Sequence, residues 1–156
     1  MRIDFYVLDS ENEKDKLLFC CKLIEKILFK IKNEALPKIL IICQNQSMLE
    51  QLDTLLWQFK KESFIAHLPY EEFCELNVEI PVILTKQKII PQINSDIIVK
   101  LDDQPWQKIN INDQSDQNLR LLEIVDQDKN VLESSRKKFR FYKASGLSIH
   151  THKIKN

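Results

Sequence analysis

The sequence predicts an α/β domain: a three-layer, Rossmann-like fold in which helices flank a mainly parallel sheet of about five strands. Two observations carry this expectation. Short apolar runs alternate with longer segments whose apolar residues recur every three or four positions, the order produced by crossover helices between parallel strands. Glycine occurs once in 156 residues, at Gly146, which excludes turn-dense all-β designs, collagen, a glycine-rich phosphate loop and a dinucleotide fingerprint. Hydrophobic residues at 44% and charged residues at 29% can build the core of one domain over residues 1–156, with no internal repeat or linker to divide it.

The elements follow in order. Residues 3–8 form a β-branched and aromatic run that stops at Asp9-Ser10, a first strand. Leu17, Cys21, Ile24, Leu28 and Ile31 share one face of a helix over about 13–34, and Pro37 marks its end. Residues 38–43 are apolar after Lys38, as befits a strand covered on both faces. Ser47 and Glu50 have capping-box spacing, and Leu49, Leu52, Leu55, Leu56 and Phe59 continue with helical periodicity. Residues 64–67 read as a short strand closed by Pro69. Residues 80–84 and 97–101 read as further strands, joined by a Lys/Gln/Pro connection. The Asp-, Asn- and Gln-rich stretch 102–118 reads as a surface loop, and 119–125 as the last strand. A basic helix then covers about 129–145, with Gly146 just past its end.

Sequence motifs for catalysis are sparse. The first strand–helix turn, Asp9 to Glu13, has no glycine and three carboxylates, so it would repel a phosphate rather than cradle one. Cys20, Cys21, Cys43 and Cys74 lack CxxC spacing and neighbouring histidines, and read as small buried hydrophobes. His150 and His152 could face a metal from one strand but have no third ligand nearby, and fit an exposed tail better. Asp9 with Asp53, or Asp102 with Asp103, are carboxylate pairs of the kind found in phosphoacceptor or metal sites, but acidic turn residues are common and carry little weight. The expectation is a protein with no enzymatic activity of its own, no metal and no cofactor. The N-terminus shows no apolar stretch with a cleavage site, and no window approaches the roughly 20 apolar residues of a membrane span, so a cytoplasmic location is expected.

Charge is balanced overall, with 23 basic and 23 acidic residues, but not along the chain. Residues 129–156 hold eight Lys/Arg and one acid, leaving fifteen against twenty-two upstream, so the two parts stand near +7 and −7. A helix this basic fits a solvated face, a direct nucleic-acid contact or a receptor for an acidic peptide. Val131, Ser135, Phe139 and Tyr142 share one of its faces, with Arg136, Arg140 and Lys143 alongside. Apolar groups beside cations suit a ligand that carries both an aromatic anchor and carboxylates. Trp57 and Phe64 have core packing as the default reading and an aromatic anchor pair at a protein interface as the alternative.

Several segments also carry a resemblance: FYVLD at 5–9, KILIICQNQSMLEQLDTLLW at 38–57, ESFIAH at 62–67, PVIL at 81–84, DIIVKL at 96–101, and R-x-x-F-x-x-Y-x-x-x-G from Arg136 to Gly146. In this order they resemble the chi subunit family of bacterial DNA polymerase III, over nearly the whole chain. LDxxLW with ESFxxH, and the C-terminal Arg/aromatic/Gly helix, are the most specific pieces. The resemblance implies a Rossmann-like domain without a nucleotide site and a non-catalytic place in the clamp-loader complex. It implies two partners: the psi subunit, and the acidic C-terminal tail of single-stranded DNA-binding protein. DNA would then be reached only indirectly. By the same resemblance Trp57 and Phe64 serve the psi interface. Arg136 is central to the tail site, with Phe139 and Arg140 beside it; on physical grounds the tail's aspartates would meet Lys137, Arg140 or Lys143 through screened contacts. Phe139 stands where many members carry Tyr or Trp.

Overall fold

Two-residue periodicity in the strands and 3.6-residue periodicity in the helices divide the apolar side chains between two faces of one sheet. The computed structural model describes residues 1–30, 36–61, 64–76, 78–87, 95–107 and 118–155. Its elements run β1 (Arg2–Leu8), α1 (Glu13–Lys30), β2 (Ile39–Ile42), α2 (Gln46–Gln58), β3 (His67–Pro69), α3 (Tyr70–Leu76), β4 (Val82–Thr85), β5 (Ile97–Lys100), β6 (Arg120–Val125), α4 (Lys129–Ala144) and β7 (Ser148–Ile154). The sheet has seven strands in the order β3-β4-β2-β5-β6-β1-β7, and each pairing is parallel.

Alternation along the strands builds three layers. Ile39 and Ile41, Val82 and Leu84, Ile97 and Val99, and Leu122 and Ile124 face α1 and α2, where they meet Leu17, Cys20, Cys21, Ile24, Leu52 and Leu56. Ile3 and Phe5, Leu40 and Ile42, Ile98, and Leu121 and Val125 face the other way, under Tyr70 and Phe73 of α3 and Val131, Leu132 and Tyr142 of α4. The four central strands β2, β4, β5 and β6 are buried on both sides apart from the part-exposed Arg120. That is the pattern of a parallel sheet between helix layers.

The fold class is as expected, with several corrections of detail. The strand count is seven rather than about five, and β6 is not last. After α4 the chain turns at Gly146 and runs back beside β1, so His150 and His152 lie on an edge strand rather than a tail. Regular pairing near residue 64 begins only at His67, so Phe64 to Ala66 approach β3 without joining it. The helix α3 has no counterpart among the expected elements; its seven residues are too few to show a period. The N-cap of α2 is Asn45, whose side chain accepts from the Met48 amide, and not Ser47, whose hydroxyl accepts from Gln51 one turn on. Cys20, Cys21 and Cys43 are buried, but Cys74 is exposed. Ile31, the 86–96 connection over 88–94, and the loop over 108–117 lie outside the described residues.

Two candidate interaction surfaces

The helix α4 owes its limits to local chemistry. Asp128 caps the start, its carboxylate accepting from the amides of Asn130 and Val131 at 3.0 and 3.2 Å. At the other end Gly146 takes φ 75°, its amide reaches Lys143 O at 3.1 Å, and the Leu147 amide reaches Tyr142 O at 3.2 Å. This is a Schellman turn, with Leu147 folded back onto the same apolar cluster as Tyr142.

The roll of α4 about its axis is set by a buried polar network. Glu123 on β6 has no exposed surface; its two oxygens receive Lys138 Nζ at 2.8 Å and the Tyr142 hydroxyl at 2.7 Å. Lys138 Nζ also donates to Asp102 O at 2.8 Å, and Lys100 Nζ donates to Asp102 Oδ1 at 2.7 Å. The Trp106 amide donates to the Tyr142 hydroxyl at 2.8 Å, closing the network. Burial raises the Glu123 carboxyl above its ordinary range against the pull of Lys138 and Lys100, and burial beside Glu123 pushes the Tyr142 phenol well up. Lys138 therefore belongs to the interior, and the outward charge of the helix is one cation smaller than its sequence implies.

With Ser135, Lys138 and Tyr142 turned inward, Arg136, Lys137, Phe139, Arg140, Phe141 and Lys143 turn out. The Phe139 ring rests on Phe5 of β1 at 5.7 Å between centroids and keeps 36% of its surface exposed. Arg140 Nε donates to Arg136 O at 3.3 Å, and Lys137 pairs with Glu133 at 3.9 Å. Among the described residues Arg136, Arg140 and Lys143 have no carboxylate partner within ion-pairing distance. The structure thus brings the four expected residues, Arg136, Phe139, Arg140 and Lys143, onto one exposed side of one helix. Such a surface can hold an aromatic ring against Phe139 while guanidinium groups take carboxylates.

A second surface lies at the C-terminal end of α2, on the opposite face of the sheet. Trp57 is 46% exposed and Phe64 is 71% exposed, so core packing does not describe them. Their rings meet at 5.3 Å, and the Trp57 ring lies 4.3 Å from the ring of His67. His67 is buried on β3; its Nδ1 donates to Ile65 O at 2.7 Å and its Nε2 faces Asp53 Oδ1 at 2.9 Å. Sequence reasoning held Asp53 only as half of an acidic pair with Asp9 and passed over its bond to His67. The spacing held the signal: Asp53 and Trp57 are one helical turn apart, and His67 follows Phe64 by three.

The other candidates resolve into structural roles. Asp9 is exposed beyond β1, while Asp53 is engaged by His67 and Asp102 by Lys100, so neither acidic pair forms a shared site. His152 Nε2 bonds buried Asp4 at 2.9 Å and stacks on Tyr6 at 4.9 Å, while Nε2 of His150 meets Ser148. Burial opposes ionisation of Asp4, but bonds from His152, Arg2 and Arg120 outweigh it and hold the carboxyl below its ordinary 3.8. Burial pushes the Cys21 thiol up to about 12 and the Cys20 thiol well up, which suppresses thiolate chemistry at both. At the carboxyl ends of β1 and β6, Lys16 meets Asp126 at 3.3 Å and Gln127 donates to Leu8 O at 2.7 Å. Among the described residues no group of three or more His, Cys, Asp or Glu could hold a metal, and no helix is long and apolar enough to cross a membrane.

Comparison with known proteins adds three findings. The family model described as "DNA polymerase III chi subunit, HolC" matches residues 1–150. The DNA polymerase III subunit chi of Pseudomonas aeruginosa is 28% identical over 154 residues, covering 98% of this chain and 96% of that protein. Among solved structures, the C-terminal domain of Saccharomyces cerevisiae Dbp5, in a complex with Gle1 and IP6, superposes with a TM-score of 0.59 at 15% identity, over 97% of this chain and 90% of that one. Longer Dbp5 in a similar complex gives 0.58, this chain covering 42% of it. At such identity the likeness to Dbp5 concerns the α/β fold alone.

Proposed function

Since the chain belongs to the DNA polymerase III chi subunit family, we propose that it is a non-catalytic cytoplasmic adaptor, joining the clamp loader, through the psi subunit, to the acidic C-terminal tail of single-stranded DNA-binding protein. Membership makes it a subunit of the polymerase complex in DNA replication. The adaptor reading rests on one observation above others: Arg136, Arg140 and Lys143 stand exposed, without ion-pair partners among the described residues, beside the half-open ring of Phe139.

The chemistry of a tail ending in an aromatic residue matches that arrangement. Its terminal carboxylate lies within one residue's reach of its ring, so Arg136 can take the carboxylate in two-point fashion while the ring packs on Phe139. Aspartates further along meet Arg140 and Lys143 through screened contacts worth ~0.2–1 kcal/mol each. Binding is then micromolar and falls with salt, as suits a contact that must break and reform as the polymerase advances. On the other face, Trp57 and Phe64 offer the aromatic pair that a protein partner such as psi can cover.

The test is a titration with an acidic peptide that ends in phenylalanine. Arg136→Ala weakens it roughly tenfold or more, because a hydrogen bond to a charged group is worth about 1.5–3 kcal/mol. Unchanged affinity removes Arg136 from the site. A naked oligonucleotide in the same assay addresses direct nucleic-acid binding: the adaptor prefers the peptide at physiological salt, whereas tighter oligonucleotide binding with a steep salt slope overturns it.

A further inference from the structure

Asp53, Trp57, Phe64 and His67 form one continuous arrangement: carboxylate to imidazole at 2.9 Å, imidazole to indole at 4.3 Å, and indole to phenyl at 5.3 Å. Only the two aromatic residues figure in the psi reading. The other two are not explained by the core, which packs α1 and α2 on the sheet with aliphatic side chains. An apolar residue at position 67 would fill that space as well without needing partners for two buried nitrogens.

His67 is anchored from both ends. Nδ1 reaches Ile65 O at 2.7 Å, which ties the ring to its own strand entry. Nε2 reaches both the Asp53 carboxylate at 2.9 Å and the Asp53 carbonyl at 3.2 Å, which ties it to α2. These contacts hold the ring at both nitrogens, and its plane is thereby fixed. The fixed plane is what Trp57 leans on. An indole almost half exposed gains order from that contact, and a partner that must order it on binding loses affinity. A ring held in place beforehand spares the partner that loss.

We propose that Asp53 and His67 are positioning residues that preset Trp57, and through it Phe64, for the polymerase partner subunit. The inference rests on the reading that Trp57 and Phe64 meet psi, and the experiment separates the two. The chain has two tryptophans, so a Trp106→Phe background leaves Trp57 as the only reporter. Trp106 Nε1 is buried with no hydrogen-bond partner among the described residues, so that replacement removes no bond they make to it. In this background Asp53→Ala lowers the fluorescence anisotropy of Trp57 and weakens psi about tenfold in a titration with the psi subunit of the same organism. Asp53→Asn, which keeps an acceptor for the His67 N–H, restores both to within twofold of the parent. A purely structural role would move the melting temperature without this rescue.

Parental anisotropy and parental psi affinity in Asp53→Ala overturn the proposal, as does an Asp53→Asn variant no better than Asp53→Ala. If Trp57→Ala leaves psi binding intact, the psi reading falls, and the anisotropy comparison alone then upholds or overturns the positioning role. Should Asp53→Ala fail to fold, His67→Gln carries the same comparison: it must free Trp57, and an unchanged anisotropy overturns the proposal.

Discussion

Lys138 and Arg136 differ by two positions and by everything else. Both count as cations in a helix that the sequence marks as basic, yet one is buried against Glu123 and the other stands in water. Nothing in composition separates them. Periodicity does, since Lys138 falls three residues from Ser135 and four from Tyr142, on the inward stripe, but a lysine there is discounted unless an acid is known to wait beneath it. Glu123 interrupts the apolar run from Leu121 to Val125, and that interruption was the other half of the signal. The pair makes a prediction. Lys138→Ala leaves Glu123 buried without its cation and lowers stability by about 3 kcal/mol at neutral pH. The sign with pH follows from the Glu123 carboxyl, already raised by burial above its ordinary 4.5 and raised further once Lys138 is gone. A folded-state value raised above the unfolded one stabilises below the unfolded value and is lost as pH rises through the folded one. The gap in melting temperature between variant and parent is therefore widest near neutrality and narrows as pH falls toward that value. A gap that does not change with pH would show that Glu123 is not the group left exposed to the loss.

At the scale of elements, ends were legible where a single residue type has no substitute. Gly146 ends α4 as its type requires, because glycine alone enters positive φ without strain. Ends were misread where two residues could serve equally, as at Asn45 and Ser47. The strand β7 was missed for a different reason: its residues alternate Ile, His, Thr, His, Lys, Ile, and an edge strand with one polar face resembles a solvated tail. What fixes it is a contact across 148 positions, between His152 and Asp4, which no local pattern contains. Gly146 makes α4 and β7 one unit, so its replacement tests both. Gly146→Ala meets no atom within 4 Å of the added carbon, and its cost is backbone strain alone, about 1 kcal/mol. Denaturant titration at constant m-value reads that cost. A neutral substitution would mean that the turn relaxes to negative φ, and the Leu147 amide would then lose its bond to Tyr142.

At the scale of the whole molecule, the parallel α/β class was legible because it depends on the order of apolar runs, a property that survives errors at their ends. Strand order was not, since β1 lies between β6 and β7 and none of these neighbours is adjacent in sequence. That order has a functional consequence. Trp57 and Phe64 sit with α2 and β3 at one edge of the sheet, while Arg136 and Phe139 sit on α4 over β6 and β7 near the other, on the opposite face. Among the described residues the four share no hydrogen bond or ring contact across that distance: Trp57 touches Phe64 and His67, and Phe139 touches Phe5. If Trp57 and Arg136 serve two partners as proposed, sites so placed act independently, because free-energy changes at separated residues without shared partners add to within about 0.3–0.5 kcal/mol. Trp57→Ala is accordingly expected to abolish co-purification with psi while leaving the acidic-peptide affinity of the parent. Arg136→Ala is expected to do the reverse, and the double variant to lose both by the same amounts. The exposed position of Trp57 keeps its replacement from unfolding the chain, which circular dichroism of the variant verifies. Peptide affinity that changed on saturation with psi would require a coupling through the sheet that these contacts do not supply, and would replace two independent grips with a switch.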